Sequence, residues 1–342
     1  MIEKKRWFLS GLFIGFTLIL AMTRSNGHVK ARIRRTQEDA TDETVMILVP
    51  IRETNARRHS RLVDMILEFT WPSRKQLHSA MLCDAFSMKI VEIGNARLRS
   101  AGLASVRYFR EPEDLNHLNP RASAPTRHGL GAQRMRRAAI AIARNYLAFV
   151  ALGGEEYQKI KWVLWLDSDL WFIPPTLISD LRSSKVDLVV PVCYCKPGTC
   201  GSSNPFVIYD RNSWRDTKEA HALLRHLERS GTISDDVIVV RGYEDPYIPE
   251  YILIQRSLAL KHKPLYLDDL NHSITAKHNG TLVELDGIGA TAILLRADLH
   301  RRGLIFPAFA VNHTIESEGM AQIARRMGVI PYGRTDISIY HA

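Results

Sequence analysis

Trp162–Pro175, WVLWLDSDLWFIPP, decides the fold: an apolar run, Trp162 to Leu166, ends abruptly in Asp167-Ser168-Asp169. A short run without polar alternation reads as a strand buried on both faces, and Pro174-Pro175 then opens a helix over Thr176–Leu181. Two carboxylates thus stand where a buried strand meets a loop, the end of an open α/β sheet at which ligands bind. One residue apart in extended chain, they point in different directions, so one can ligate a divalent cation while the other holds a water or a hydroxyl. Hard oxygen donors suit Mg2+ or Mn2+ bridging a nucleotide diphosphate. The plainer alternative is a polar strand exit whose aspartates cap the next turn.

The flanking sequence supplies the rest of the sheet. Val45–Ile51, VMILVPI, is a second buried strand, followed by a helix with Leu62, Met65, Ile66 and Phe69 on one face and a stop at Trp71-Pro72. Strands at Ala80–Cys83 and Leu103–Phe109, and a further one at Val186–Val192, alternate with helices, which predicts a doubly wound, mostly parallel sheet. In such a sheet the strand exits at Pro50, Arg52 and Asp84 lie near a nucleotide base, although each taken alone is an ordinary loop residue. The polar stretch 111–133 has no period and reads as a long loop. Arg134–Leu152 is a strong helix whose apolar side is interrupted by Arg134, Arg136, Arg137 and Arg144. These basic residues read either as a solvated face or, so near the Asp-x-Asp strand, as guanidinium donors to a diphosphate; Arg137 and Arg144 are the candidates.

The 342 residues are 46% hydrophobic and 24% charged, which is ordinary globular composition. Net charge is +10, but residues 1–35 hold eight basic side chains against Glu3, so the body is only mildly basic and no nucleic-acid partner is expected. Residues 1–6 read as a cytoplasmic tail, 7–23 as a transmembrane signal-anchor, 24–44 as a polar stem and 45–342 as the folded domain. More basic residues follow the apolar segment than precede it, which by itself favours a cytosolic body. The sequons at Asn271, Asn279 and Asn312 favour the lumen, and long domains translocate regardless of flanking charge. A single-pass type II protein is the expectation. Cys83, Cys193, Cys195 and Cys200 allow three pairings; a disulfide closing the 193–200 loop fits better than zinc, because no fourth soft ligand stands at zinc spacing. Cys83, in a core strand, reads as a free thiol.

Phe206–Trp214 (FVIYDRNSW), Val283–Ala292 (VELDGIGATA), Phe306–Gly328 (FPAFAVNHTIESEGMAQIARRMG) and the final Ile339-Tyr340-His341 surround the same Asp-x-Asp. In that order they resemble the fungal Golgi mannan-synthesising mannosyltransferases, glycosyltransferase family 62, of the mannan polymerase subunit type. The resemblance runs from about Val45 to His341. It implies a GT-A fold, a Golgi membrane location, and transfer of mannose from GDP-mannose to a mannose-containing glycan with retention of the α configuration. It further implies Mn2+ (or Mg2+) held by Asp167, Asp169 and His341, with Asp167 also at the nucleotide-sugar, and partner subunits of the same family. Asp286 matches an acidic residue after the acceptor region and is expected to receive a sugar hydroxyl; read without the resemblance, Gly287 and Gly289 mark only a tight turn into the strand 290–295.

Some alternatives stay open on the sequence. His313, beside Glu316 and Glu318, competes with His341 as a metal ligand. His341 stands one residue from the end of the sequence, where fraying is expected. Asn312, near the expected site, reads as enclosed. The chain is otherwise a non-catalytic scaffold subunit of a mannosyltransferase complex, or, with Asp167-x-Asp169 as nucleophile motif, a phosphatase of the haloacid dehalogenase type. The second is disfavoured because that motif belongs on the first strand, whereas here it follows about the fourth.

Overall fold

The computed structural model describes residues 43–51, 55–112, 130–200 (130–133 as backbone only), 206–234, 238, 264–267 and 281–342. The expected anchor at 7–23, nearly all of the stem, Arg52, and the sequons at Asn271 and Asn279 lie outside the described residues. Among the described residues no helix is long and apolar enough to cross a membrane. Glu43 and Thr44, assigned to the stem from sequence, are bonded to the folded body: Arg182 Nε donates to Glu43 (2.9 Å) and Thr44 Oγ1 to the Lys159 carbonyl (2.7 Å).

In chain order the strands are β1 (Val45–Ile51), β2 (Leu77–Cys83), β3 (Ser105–Arg110), β4 (Trp162–Leu166), β5 (Leu170–Phe172), β6 (Leu188–Cys195), β7 (Trp214–Arg215), β8 (Leu265–Tyr266), β9 (Leu282–Glu284), β10 (Ala292–Arg296) and β11 (Tyr332–His341). The helices are α1 (Ala56–Leu67), α2 (Met88–Ser100), α3 (Leu130–Leu152), α4 (Leu177–Arg182), α5 (Lys218–Arg229), α6 (Ala297–Arg301) and α7 (Glu316–Arg326). The main sheet runs β3-β2-β1-β4-β10-β6-β11-β5, with β9 also on β11, and β7 and β8 form a separate pair.

β4 shows why its sequence does not alternate. Val163 and Trp165 pack into the core under α3, α6 and α7, while Trp162, Leu164 and Leu166 pack into the core under α1, α2 and α4. With helices on both sheet faces, every residue of the strand is buried. The expected parallel winding holds for β3-β2-β1-β4. Beyond β4 the expectation of a mostly parallel sheet needs correction. β10 enters antiparallel between β4 and β6, and β11 pairs parallel with β6 but antiparallel with β5 and β9. The sequence hid this because β11, YGRTDISIYH, mixes glycine and charged residues into a strand that is paired on both sides. Chain order reverses around β1, with β2 on one side and β4 on the other, so the carboxyl ends of β1 and β4 flank a topological switch point.

The core behind β4 contains a pH-sensitive joint. Trp165 Nε1 donates to His300 Nε2 at 3.0 Å, which leaves His300 Nδ1–H to donate to the Leu304 carbonyl at 2.7 Å. Both ring nitrogens are used by the neutral imidazole, and a second proton would face the indole N–H. Burial pushes the His300 pKa down to about 4, and burial with Lys159 and Arg107 nearby does the same for His78. Both rings take up a proton near pH 6.5 when unfolded but resist it when folded. Their share of stability is therefore intact above about pH 6.5 and is lost as pH falls toward 4, by a few kcal/mol in all. Urea melts at pH 7, 5.5 and 4.5 should show that decline, and His300→Gln should flatten it; an equal slope in the variant would remove His300 from the account.

Candidate functional site

Alternation along β4 sends Leu166 to the α1 side, so Asp167 turns to the α3 side. There Arg144 of α3 donates Nη2–H to Asp167 Oδ1 (2.7 Å) and Nη1–H to Glu316 Oε1, at the first turn of α7. Arg137, two turns earlier on α3, donates to Glu318 Oε2 (2.6 Å) and to Asn212 Oδ1 (2.8 Å), and Trp214 Nε1 donates to Glu318 Oε1 (2.6 Å). Arg137, Arg144, Glu316 and Glu318 are all buried. Both arginines thus reach the site side of the molecule, and neither is a solvated face: each is bonded to a carboxylate of α7, and Arg144 acts on Asp167 directly. Burial raises the Asp167 carboxyl above its ordinary range, against the opposing pull of Arg144.

Asp169 is met from the far side of the chain. β5 pairs with β11 so that Leu170 lies opposite His341, the Ala342 N–H donates to the Asp169 carbonyl (2.9 Å), and His341 Nε2 stands 2.9 Å from Asp169 Oδ1. His341 is not frayed, contrary to the reading of the terminus: it is buried in a strand paired on both sides, and its carbonyl accepts from Lys196 N–H at 2.8 Å. Its ring stacks on Tyr209, with centroids 3.6 Å apart and planes 11° from parallel. Burial disfavours the charge on each partner, but the bond between them outweighs it, lowering the Asp169 pKa and raising that of His341. His313, the competing candidate, is placed elsewhere, with Nε2 at 3.0 Å from Glu228 of α5.

The donor set suits a divalent cation in part. Two adjacent ligands on an octahedral ion with bonds of ~2.1 Å stand about 3 Å apart, close to the separation of Asp169 Oδ1 and His341 Nε2. His341 Nδ1 lies 3.0 Å from the Ala342 backbone oxygen, the outer-shell partner that fixes a metal-binding imidazole. Among the described residues no group of three such side chains is already gathered, and Asp167 is the remaining donor on the same turn.

The other sequence candidates are more dispersed. Asp84 accepts from the Ser87 backbone N–H (2.8 Å) and hydroxyl (2.7 Å), shaping the turn before α2, and Pro50 sits within β1. Asp286 is buried at the base of α5, accepting from the Asp216 N–H (2.9 Å), with Arg325 at 3.2 Å and His221 at 3.5 Å. Burial works against its charge, but His221 and Arg325 hold its pKa below the ordinary range. Asn312 is exposed rather than enclosed, and its side-chain amide is engaged by Gln322 and Arg326. Cys195 and Cys200 form a disulfide that closes the loop after β6, while Cys83 and Cys193 are free and buried.

Residues missed from sequence gather around FVIYDRNSW. Tyr209 supplies the ring under His341, and Asp210 accepts from Thr291 Oγ1 (3.1 Å) and from the Asn212 N–H (3.1 Å). The two glycines of the 286–290 turn serve close approach more than turning. A Cβ at Gly287 would enter the Trp214 indole, and one at Gly289 would sit on the Asp210 carboxylate. Gly289→Ala should therefore expel Asp210 and cost about 3 kcal/mol; a thermal melt matching the parent protein would show that the turn yields instead.

The chain is 34% identical over 238 residues to the mannan polymerase complex subunit mnn9 of Schizosaccharomyces pombe, covering 70% of this chain and 60% of that protein. It is 31% identical to the MNN9 subunit of Candida albicans (63% of this chain, 52% of that one) and 35% identical to the mannan polymerase II complex ANP1 subunit of Saccharomyces cerevisiae (63% and 37%). The matched stretch thus spans between about a third and three fifths of these relatives' own length. Among solved structures, a mannosyltransferase from Pyrobaculum calidifontis in complex with GDP-mannose and Mn2+ is 14% identical with a TM-score of 0.43, covering 95% of this chain and 64% of that one, a likeness too slight to carry an activity. The Anp1 family model matches residues 28–310, and the chain, which has the site motifs of Asp167, Asp169 and FVIYDRNSW inside that span, belongs to the Anp1 family.

Proposed function

We propose that the chain is a GT-A glycosyltransferase that transfers mannose from GDP-mannose to a mannose-bearing glycan, with retention, within a mannan-synthesising assembly of related subunits. The observation that carries this reading is the contact of Asp169 with His341 on the turn that follows β4, with Asp167 on the same turn beside the switch point of the sheet. Asp169 and His341 would hold Mn2+ or Mg2+, with Asp167 as the third donor. A divalent ion bound there supplies charge neutralisation for a departing nucleoside diphosphate.

The chain's own residues divide the remaining work. Arg144 aims Asp167 from behind and offsets its burial. Tyr209 fixes the plane of the His341 imidazole, and the Ala342 oxygen holds its Nδ1 proton, leaving Nε2 to the site side. Glu316 and Glu318 hold Arg144 and Arg137 in place, so Arg144 meets Asp167 from a fixed frame. A retaining transfer on one sugar face lets the leaving phosphate take the acceptor proton, so Asp286, already committed to His221 and Arg325, is not needed as a base. A type II orientation with the body in the Golgi lumen agrees with the exposed sequon at Asn312 and with the disulfide, since such bonds persist in oxidising compartments.

The test is turnover of GDP-mannose by the full chain with a short α-mannoside acceptor, with and without Mn2+. Manganese-dependent product is the expected result. No turnover and no metal-dependent GDP binding, in the isolated chain and in its complex, would move the protein to the scaffold reading.

A further inference from the structure

The turn that follows β6 is closed by a bond that the cation site described above does not use. Cys195 and Cys200, five positions apart, form a disulfide. Between them the Thr199 N–H (3.0 Å) and hydroxyl (2.6 Å) both donate to the Lys196 carbonyl, and Pro197 and Gly198 take the corner. Proline followed by glycine, with Gly198 at φ +81°, is the signature of a type II turn. Cys200 has φ +56°, a left-handed conformation uncommon for a residue with a Cβ, and its sulfur ties it back to Cys195.

The contacts of this closed turn lead to the two residues expected to hold the cation. The Lys196 N–H donates to the His341 carbonyl at 2.8 Å, the final bond of the β6–β11 ladder, in which Cys195 is the partner of His341. Lys196 Nζ lies 5.6 Å from the ring centroid of Trp171, two residues after Asp169. On the other edge of β6 the Cys195 N–H donates to the Val207 carbonyl (2.8 Å) and the Tyr209 N–H to the Cys193 carbonyl (2.9 Å). Tyr209 carries the ring on which His341 stacks. The backbone of His341 and the ring beneath it therefore both hang on residues 193–196, where the closed turn begins. The final bond of a ladder has a neighbour on one side only and opens readily unless the chain beyond it is fixed. Linking Cys195 to Cys200 fixes that chain just past Lys196, by removing the freedom of an open loop.

We infer that the Cys195–Cys200 turn is a positioning element for His341, so that tight cation binding requires the disulfide. The inference rests on the transferase reading for the identity of the cation, and on the contacts of Lys196 and Tyr209 for the placing of His341. The site is then complete only where thiols are oxidised. A dithiol that delivers two electrons and two protons to the bond, leaving as its own disulfide, gives two free thiols and opens the turn. Cys200 is exposed and Cys195 buried, so a reductant attacks at Cys200. Cys83 and Cys193 are already thiols and are unchanged by it.

The test compares the full chain oxidised, the same chain reduced with a trialkylphosphine, and Cys195→Ser/Cys200→Ser, all well below their melting temperatures. The phosphine takes the oxygen of a water molecule and the two sulfurs take its protons, so no thiol is added that could chelate Mn2+. One quantity read is Mn2+ affinity, from the electron paramagnetic resonance of the free ion. The other, taken without metal, is the NMR signal of the His341 ring in protein carrying isotope-labelled histidine, assigned with His341→Gln. Stacked on Tyr209, that ring should resonate upfield of an exposed histidine in the oxidised chain. Reduction should move the signal toward that of an exposed ring and weaken Mn2+ binding roughly tenfold. The double variant should match the reduced chain and ignore the phosphine. A disulfide that serves stability alone would lower the melting temperature and leave both quantities unchanged, which would overturn the inference. So would an unmoved His341 signal beside weakened Mn2+ binding, or a moved signal beside unchanged Mn2+ binding. No Mn2+ binding in either state, with a His341 signal that still responds to reduction, sinks the metal reading and leaves the positioning of His341 standing; no binding and no response sinks both.

Discussion

Asp169→Ala should abolish manganese-dependent turnover of GDP-mannose, a loss on the order of 10³-fold or more, while leaving the fold intact. The asymmetry follows from its surroundings. Asp169 lies on a turn at the end of the sheet with its side chain about one third exposed, so truncation opens no core cavity. Its backbone carbonyl keeps the bond from the Ala342 N–H whatever the side chain. What is lost is the carboxylate that stands 2.9 Å from His341 Nε2, and with it one of the donors expected to hold the cation. His341 also loses the partner that raises its pKa. His341→Ala should act similarly on turnover but cost more stability, because that ring is buried against Tyr209. The assay is initial rate against Mn2+ concentration, read beside a thermal melt. Turnover of Asp169→Ala within about tenfold of the parent would remove Asp169 from the metal site, and a collapsed melt would show that the residue is structural.

Arg144→Met should have the largest effect on stability, about 3–5 kcal/mol. Its guanidinium is buried between two carboxylates, Asp167 and the buried Glu316. Methionine keeps much of the volume but leaves Glu316 buried without its cation, and the penalty of an unpaired buried charge exceeds the net worth of the pair. For a body of this size that corresponds to a drop in melting temperature on the order of 10 °C. The sign of the repair is also fixed: adding Glu316→Gln removes the stranded charge and should recover part of the loss, which a double-mutant cycle measures. Arg97→Ala is the control, since the Arg97–Asp64 pair is 41% and 51% exposed and should be worth less than ~1 kcal/mol. An Arg144→Met melt as mild as that of Arg97→Ala would overturn the account of a stranded buried charge.

The same network explains why the arginine positions were only half legible. The helix 134–152 shows Arg137 and Arg144 at a seven-residue interval, which places them on one face, but spacing is silent about what that face meets. It meets the first turn of α7, whose Glu316 and Glu318 come more than 170 residues later. The guanidiniums therefore end on carboxylates, and of the two only Arg144 also bonds Asp167 at the turn.

How far the sequence goes depends on the range of the interaction that fixes each feature. The end of β4, its burial on both faces and the place of two carboxylates where that strand meets a loop follow from a local pattern, because an unalternating apolar run is stable only between two helical layers. The segments that mark the family were legible in the same way, as residues in order along the chain. The resemblance named His341 for the site and left His313 in competition; the tertiary structure decided which of the two meets Asp169. His313 and His341 are equivalent as donors in the sequence; pairing of β11 with β5 brings one to the turn, and the other is held by Glu228. It also decided the antiparallel entry of β10 and the seat of Asp210 over Gly289. Each of those depends on register between strands distant in sequence, and register is set by the packing of both sheet faces at once.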